Sequence, residues 1–223
     1  VIVAKFKPDK QYFILEGQPK QRLEVHKEYK GQRVYHDRDD FSRQKRYIID
    51  LLKRRFPMEV VRHPDYECDD VLANLATIAH TRDECIVVSS DTDFYQLYDQ
   101  HENVKVYNPV QKKVIERHPV DYVAWKALKG DASDNIPGFP GIGDKRAAAL
   151  VNDSDKLNKY LDGDSDRRER FKKNIFLIKF HDMTEEMSSL ERSSPDVDWE
   201  DVRREFNDLR FWSITNDRSW EKF

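Results

Sequence analysis

The chain has 223 residues, of which 38% are hydrophobic and 36% are charged, and its formal net charge is −3. This length and apolar content allow one large domain, or a domain with an appendage, around its own core. No apolar run reaches the roughly 18 residues of a membrane helix, and the first residues show no export pattern. These features exclude an integral membrane protein and predict a soluble, cytoplasmic one. Cys68 and Cys85 lack metal-ligand spacing and fit buried thiols in a reducing compartment.

Charge is divided unevenly along the chain. Residues 1–62 carry 16 Lys and Arg against 9 Asp and Glu, whereas residues 63–100 carry 1 against 9. A basic segment beside an acidic one suits a phosphodiester substrate, because cations attract the backbone and bound metal ions offset repulsion from the acids. A solvated charged surface is the alternative explanation.

Strand and helix patterns alternate in the first part of the chain. Residues 11–15 predict a buried strand that delivers Glu16. The basic residues 20–55 predict a loop or arch followed by a helix, whose apolar positions are Phe41, Tyr47, Ile48, Leu51 and Leu52. Residues 60–61 suggest a second strand. A second helix is predicted to begin at Asp69 and Asp70, where its dipole favours acids, with the apolar stripe Val71, Leu72, Leu75, Ile78 and Ala79.

The continuous apolar run at residues 85–88 is typical of a parallel strand covered on both faces. A strand at 104–107 and a helix at 120–128 follow, and a helical subdomain is predicted to begin near Lys129. The pattern therefore predicts an α/β fold, a twisted, mainly parallel sheet flanked by helices, followed by this helical subdomain. Ligand sites in such sheets form at the carboxyl ends of the strands.

Seven carboxylates fall in three short clusters, and Glu16 joins them at the predicted sheet edge. The clusters consist of Glu67, Asp69 and Asp70, of Asp91 and Asp93, and of Asp131 and Asp134. Crowded like charges raise one another's pKa, so a fold that gathers this many acids usually stabilises them with divalent metal. Because oxygen-only ligands suit hard cations, the sequence predicts Mg²⁺ or Mn²⁺ rather than zinc.

A second informative segment opens a predicted helix with a Gly-x-Gly hairpin formed by Gly141, Ile142 and Gly143. Glycines let backbone N–H groups approach an anion, the helix start adds its positive dipole end, and Lys145 and Arg146 add charge. This pattern indicates a phosphate cradle that reads no bases. A Gly-x-Gly alone would fit a plain helix start equally well.

These blocks, in this order, resemble the 5′-nuclease family: the flap endonucleases, the phage 5′–3′ exonucleases and the N-terminal nuclease domain of bacterial repair DNA polymerase. The resembling motifs are the Glu-x-Asp-Asp helix start at Glu67, the Asp-x-Asp strand end at Asp91, and Gly-Asp-Ala-Ser-Asp-Asn joined to the Gly-x-Gly hairpin. The resemblance spans most of the chain. It implies replication or repair enzymes that hydrolyse DNA phosphodiesters near a 5′ end or 5′ flap with two metal ions, which activate water and stabilise the leaving 3′ oxygen. We expect a monomer.

The resemblance also implies roles for individual residues. It assigns Glu16, Glu67, Asp69 and Asp70 to one metal, Asp93, Asp131 and Asp134 to the other, and Asp91 to the vicinity of both. Lys30 and Arg33 take catalytic positions near the scissile phosphate, at the base of an arch. The implied DNA-binding residues are Arg22, Tyr29, Lys30 and Arg33 at the arch, and Gly141, Ile142, Gly143, Lys145 and Arg146 at the clamp, where hairpin carbonyls would hold K⁺. Surface-charge roles remain open for the basic residues.

The resemblance divides the chain into an α/β nuclease core (residues 1–128, with a basic arch region at about 18–55), a helical, helix-hairpin-helix-type DNA-binding clamp subdomain (129–195) and a C-terminal helix that packs back on the core (196–223). It also implies a first strand that ends in Asp-Gly and supplies another metal-site aspartate, and this sequence has no such segment. Because losing that strand would expose apolar flanks, we expect a missing piece rather than a natural absence. Glu16 stands where the family usually has Asp. Its carboxylate could therefore bind a metal ion directly or through a water molecule, and both alternatives remain open.

Two other functions remain as alternatives. A haloacid-dehalogenase-type phosphatase also carries an Asp-x-Asp after a strand, but it would leave the Glu67 motif and the Gly-x-Gly hairpin unexplained. A non-catalytic DNA-binding module would retain the clamp without a working metal site. The sequence does not distinguish endonuclease from exonuclease behaviour, a closed arch from an open clamp, or a phage from a cellular origin.

Overall fold

The computed structural model describes residues 2–33, 39–99 and 101–221. The helices are α1 (Ile2–Phe6), α2 (Lys20–Val25), α3 (Asp39–Arg55), α4 (Cys68–Asn74), α5 (Tyr122–Lys129), α6 (Asp144–Val151), α7 (Ser154–Asp162), α8 (Ser165–Ile178), α9 (Trp199–Asp208), α10 (Trp212–Thr215) and α11 (Asp217–Trp220). The strands are β1 (Tyr12–Leu15), β2 (Glu59–Arg62), β3 (Cys85–Val88), β4 (Val104–Asn108), β5 (Lys113–Val114), β6 (Gly130–Asp131), β7 (Ile136–Pro137) and β8 (Glu191–Ser193). In this described part of the chain, no helix has the length and apolar character needed to cross a bilayer.

The predicted α/β class is confirmed, but the described strands are divided among three small sheets rather than gathered in one. Two of these sheets contain a parallel pair, β1 with β2 and β3 with β4, and each pair gains an antiparallel neighbour, β8 and β5 respectively. The third sheet is the short antiparallel pair β6–β7. The parallel pairing that the apolar runs predicted is therefore present, in two places.

The chain divides into two compact units. The first comprises Val1–Leu15, Tyr35–Arg62 and Leu190–Phe223, and the second comprises Glu16–Val34 and His63–Ser189. The domain boundaries predicted above cut the chain differently and stay predictions.

In the first unit, the sheet β1–β2–β8 is accompanied by a small helical core. Leu51 of α3 packs with Val202 and Phe206 of α9. Helix α9 forms here because Asp198 accepts hydrogen bonds from the N–H groups of Glu200 and Asp201, which caps its first turn. The described residues of α3 bury Leu51 alone, so the apolar face predicted from Phe41 onwards is largely exposed.

In the second unit, three apolar clusters position the helices and strand ends. Val87 of β3 and Val106 of β4 pack with Phe94, which follows β3. Ala127 of α5 packs with Leu177 of α8. The next residue, Leu128, packs with Phe139, Ile142 and Ala147 around the start of α6, so α5 joins two of the clusters.

The helix predicted over Val71–Ala79 changes geometry halfway. Helix α4 starts as predicted, with Asp69 and Asp70 in its first turn, but it ends at Asn74 and continues as a π-helical turn, Leu75–Ala79. Within that turn the Thr77 hydroxyl donates to the carbonyl oxygen of Ala73 (2.8 Å). Such side-chain bonds to the preceding turn compete with regular helix geometry.

A glycine contact fixes the β6–β7 pair, which carries Asp131. A Cβ added to Gly138 would overlap the carbonyl oxygen of Lys129 and the backbone N of Gly130, whereas a Cβ at Gly143 would meet nothing within 4 Å. We expect Gly138→Ala to lower the free energy of unfolding by about 1–3 kcal/mol, because the backbones must separate. Urea denaturation measures this loss, and Gly143→Ala is the matched control. Equal stability of the two variants would contradict the close approach.

Candidate active site

The site lies in the second unit and begins at Glu16 and the start of α4. Glu16 follows β1 directly, and its Oε2 accepts a hydrogen bond from the N–H of Cys68 (3.1 Å), the first residue of α4. Glu67 precedes α4, and Asp69 and Asp70 lie in its first turn. Three of the predicted acids therefore surround one helix start because they are neighbours in sequence, and Glu16 reaches that start from a separate segment.

The Asp70 carboxylate is bonded to a buried arginine. Its two oxygens accept hydrogen bonds from Arg22 at 2.5 and 2.8 Å, and one also accepts from the N–H of His181 (2.9 Å). Arg22 is 3% exposed, donates to the carbonyl oxygens of Leu177 and Lys179, and forms an ion pair with Glu67 (2.9 Å). The donors of Arg22 are thus directed into the protein.

The predicted arch-base residues contact acids from two different segments. Tyr29 is buried, and its hydroxyl lies 3.1 Å from an oxygen of Glu67 and 3.1 Å from an oxygen of Asp134, so that it can donate its one proton to either. Lys30 forms an ion pair with Glu67, and Arg33 pairs with Asp134 (2.6 Å). Lys30 also has a left-handed backbone (φ +55°), and its N–H donates to the carbonyl oxygen of Asp134 (3.0 Å).

The second pair of acids lies beyond the carboxyl end of β3, as predicted. One oxygen of Asp91 accepts from the N–H of Asp93 (2.9 Å), which shapes the turn. The Asp93 carboxylate in turn accepts from the hydroxyl of Tyr122 on α5 (2.9 Å). Asp91 is exposed, whereas Asp93 is partly buried.

Asp131 and Asp134 complete the acidic set from the segment after α5. Ligand oxygens of Asp93, Asp131 and Asp134 all lie within 4.8 Å of one another, which is close enough to share one metal ion. Asp131 accepts from the N–H and hydroxyl of Ser133 at 2.8 and 2.5 Å. The structure thereby brings together three acids that are up to 41 positions apart in sequence.

Sequence reasoning missed Lys126, which lies inside this acidic group. Its ammonium forms ion pairs with Asp93 and with Asp131 (2.6 Å), and the residue is only 8% exposed. Although burial opposes its charge, the nearby Asp93 and Asp131 hold the pKa of Lys126 above its ordinary value. The only signal in the sequence is its i, i+4 spacing from Tyr122, which also contacts Asp93.

These side chains line a cavity of about 590 Å³. The predicted residues in its lining are Arg22, Tyr29, Lys30, Arg33, Glu67, Asp69, Asp91, Asp93, Asp131 and Asp134. Glu16 and Asp70 lie outside the lining that the described residues form. The cavity therefore combines carboxylates with the cations Lys30, Arg33 and Lys126, so it can hold both a divalent metal ion and an anionic substrate.

The Gly-x-Gly segment opens α6 as predicted. Gly141 has φ +71°, a conformation that favours glycine, and Gly143 is the cap residue before Asp144. Lys145 and Arg146 are exposed in the first turn, whereas Ile142 is buried in the core. Exposed backbone and two cations at a helix start suit phosphate contacts, while Ile142 anchors the hairpin.

Crowding alters the protonation of Asp69. Burial, together with the negative charge of Asp91, raises the pKa of Asp69 to about 7. Asp131 shows the opposite shift, because hydrogen bonds from Lys126 and Ser133 outweigh burial and lower its pKa. Near neutral pH, Asp69 is thus a carboxyl whose charge responds to a bound cation.

This shift predicts a pH-dependent response to Mg²⁺. Folded Asp69 keeps a proton that the unfolded chain loses above its ordinary pKa of 3.8, so its contribution to stability falls as pH rises from there to about 7. A cation binds only the deprotonated form, so we expect Mg²⁺ to raise the Tm more at about pH 8 than at about pH 5.5. Thermal unfolding of the wild type, of Asp69→Asn and of the surface control Asp155→Asn measures this. An equal Mg²⁺ shift at both pH values would contradict the prediction.

Comparisons with known families match residues 1–210 of the chain. Residues 1–125 match the family described as 5′-3′ exonuclease, N-terminal resolvase-like domain, and residues 117–210 match 5′-3′ exonuclease, C-terminal SAM fold. DNA polymerase I of Deinococcus radiodurans is 42% identical over 123 residues, which cover 51% of this chain and 12% of the polymerase. A 5′-3′ exonuclease of Mycobacterium tuberculosis is 28% identical over 208 residues, which cover 78% of this chain and 64% of the relative. The chain thus spans less than two thirds of either relative.

Solved structures show the same fold. The T5 D15 protein co-crystallised with metal ions superposes with a TM-score of 0.64 at 23% identity, covering 79% of this chain and 78% of that one. The T5 D15 flap endonuclease in a pseudo-enzyme-product complex with DNA and metal ions gives 0.63 at 22% identity, covering 79% and 76%.

Proposed function

The chain belongs to the 5′–3′ exonuclease family, and from this premise we propose that it hydrolyses DNA phosphodiester bonds near a 5′ end or 5′ flap with the help of divalent metal ions. The observation that carries the proposal is the cavity, in which acids from three sequence clusters meet Lys30, Arg33 and Lys126. The alternative explanation, a solvated charged surface, does not account for the convergence of these segments on one cavity.

The donor set fits a hard divalent cation such as Mg²⁺ or Mn²⁺. Asp93, Asp131 and Asp134 would hold one ion, since their oxygens already lie within 4.8 Å of one another. Asp69 and Asp91 would hold a second, with Glu16 and Glu67 beside them, because burial and the negative charge of Asp91 raise the pKa of Asp69 and a cation there would offset both. When bound, such ions polarise the phosphate and make water a stronger nucleophile at neutral pH. We leave Asp70 out of this set, because Arg22 and the N–H of His181 occupy its oxygens.

The cations of the cavity orient and stabilise the phosphate. Lys30 and Arg33 contact the scissile phosphate, and their partners Glu67 and Asp134 hold them in place before DNA arrives. Lys126 holds Asp93 and Asp131 in a fixed orientation. Arg22 and Tyr29 act as positioning residues rather than as DNA contacts, since both are buried and bonded to Glu67.

The start of α6 grips the DNA backbone away from the reacting phosphate. The exposed Gly141, Gly143, Lys145 and Arg146 contact phosphates, and the buried Ile142 fixes the hairpin. Carbonyl oxygens of the hairpin would hold a K⁺ ion. This contact is independent of base sequence, so the binding should weaken steeply with salt.

A cleavage assay tests the proposal. A duplex with a 5′-labelled flap is incubated with the chain and Mg²⁺, against an EDTA control and a blunt duplex. We expect metal-dependent release of short 5′ products, and their lengths distinguish endonuclease from exonuclease action. DNA binding without any Mg²⁺-dependent product would instead favour the non-catalytic DNA-binding module.

A further inference from the structure

A group of aromatic side chains lines one part of the same cavity. We call Tyr95, His118, Tyr122 and Trp125 the aromatic shelf. The ring centroids of His118 and Trp125 lie 4.7 Å apart, those of His118 and Tyr122 lie 5.3 Å apart, and those of Tyr95 and Tyr122 lie 5.5 Å apart. Four rings, each in contact with at least two of the others, therefore border a cavity whose remaining lining is largely charged.

Hydrogen bonds fix the rings of the shelf in place. The Tyr122 hydroxyl donates to Asp93 (2.9 Å), the indole N–H of Trp125 donates to the carbonyl oxygen of Asp144 (3.1 Å), and Nδ1 of His118 donates to the carbonyl oxygen of Val120 (2.8 Å). Because the rings are held before a ligand arrives, stacking on them loses little side-chain entropy. Through Tyr122 the shelf is bonded directly to the acidic group.

The shelf also has positive charge beside it. The Lys129 ammonium lies 4.0 Å from the centroid of the Trp125 ring, and the Lys126 ammonium lies 5.7 Å from that of Tyr122. A ligand that suits this surface has a flat apolar face and an attached anion. In a DNA strand, an unpaired base supplies the face and its phosphate supplies the charge.

We propose that the aromatic shelf is a base-stacking subsite for one unpaired nucleotide of the strand that is cut. This inference rests on the proposed nuclease function and extends it. The shelf holds the base while the adjoining phosphate reaches the acidic group, so the site selects nucleotides that have left the duplex. Because every base has a flat face, the subsite recognises the unpaired state rather than the sequence.

A binding cycle tests the subsite. The Kd of wild type and Trp125→Ala is measured in EDTA for intact DNA and for DNA with an abasic nucleotide at each of the first three 5′ positions. At one position, wild type should lose between about fivefold and a hundredfold in affinity. Trp125→Ala should bind DNA that carries all its bases more weakly than the wild type does, by the same factor. The abasic nucleotide at that position should then cause no further loss of affinity in Trp125→Ala. Trp125→Phe should retain most of the affinity.

Two further variants keep the test interpretable. Trp212→Ala removes a 65% exposed tryptophan of the first unit and should bind like wild type. His118→Ala removes a partly buried ring of the shelf and should reproduce the Trp125→Ala pattern if Trp125→Ala does not fold. The subsite would be overturned if, at every position, the loss of affinity caused by Trp125→Ala and the loss caused by the abasic nucleotide simply added. If the wild type still cleaved DNA, the nuclease proposal would stand. Absence of any DNA binding by wild type would overturn the nuclease proposal as well.

Discussion

Asp91→Ala is expected to lower the rate of Mg²⁺-dependent DNA cleavage by at least about 10³-fold. The charge of Asp91 acts on Asp69 and on Asp93, so its loss weakens both proposed metal groups at once. DNA affinity should remain close to wild type, because the change removes a negative charge that repels phosphate. Single-turnover cleavage and a separate binding assay in EDTA measure the two effects.

The matched control is Asp155→Ala, which removes an exposed aspartate at the start of α7 in the same unit. It should cleave DNA at the wild-type rate. If Asp91→Ala lost DNA binding together with cleavage, the assignment of Asp91 to metal binding would be wrong, and a role in shaping the turn after β3 would replace it.

Arg22→Met is expected to lower the free energy of unfolding by about 3–5 kcal/mol. Arg22 and Asp70 are 3% and 0% exposed. Removal of the guanidinium therefore leaves the buried Asp70 charge with the His181 N–H as its one donor among the described residues, and it also deprives Glu67 of a partner. Urea denaturation measures the change. Cleavage should fall too, because Glu67 and Lys30 lose their fixed positions.

Comparison with Arg33→Met distinguishes an arginine that stabilises the fold from one that contacts the substrate. Arg33 also pairs with an acid, Asp134, but its side chain is 43% exposed. We therefore expect a change in stability of less than about 1 kcal/mol and a clear loss of cleavage. If Arg22→Met unfolded no more easily than Arg33→Met, the buried pair would not support the fold. The DNA-binding role that the family resemblance implies for Arg22 would then be favoured.

The sequence was sufficient to locate the acidic clusters because each depends on a local pattern. An apolar run such as residues 85–88 predicts a buried strand, and the acids that follow it must lie at its carboxyl end. Likewise, Asp69 and Asp70 precede a helical stripe, which places them in a first turn. In the same way, Gly141 and Gly143 predicted that a helix begins at Asp144. Each inference needed fewer than about ten neighbouring residues.

Properties that depend on distant residues were not predictable in this way. The bond between Asp70 and an arginine depends on Arg22, 48 positions away, and nothing near Asp70 in the sequence indicates it. Lys126 looks like an ordinary helix-surface lysine until Asp93, 33 positions earlier, is placed beside it. The apolar positions Phe41, Tyr47 and Ile48 fit a buried face by their spacing, yet they are exposed, since spacing alone does not supply a partner surface.

The left-handed backbone of Lys30 has a consequence for how this site can be altered. A residue other than glycine loses about 1 kcal/mol in that conformation. Glycine at position 30 would relieve the strain, but it would remove the ammonium that pairs with Glu67. At this position, relief of backbone strain is therefore opposed by the loss of a partly buried ion pair and of a cation in the cavity. Melting temperature and cleavage rate report different properties of Lys30, so a screen for improved variants must score activity as well as melting temperature.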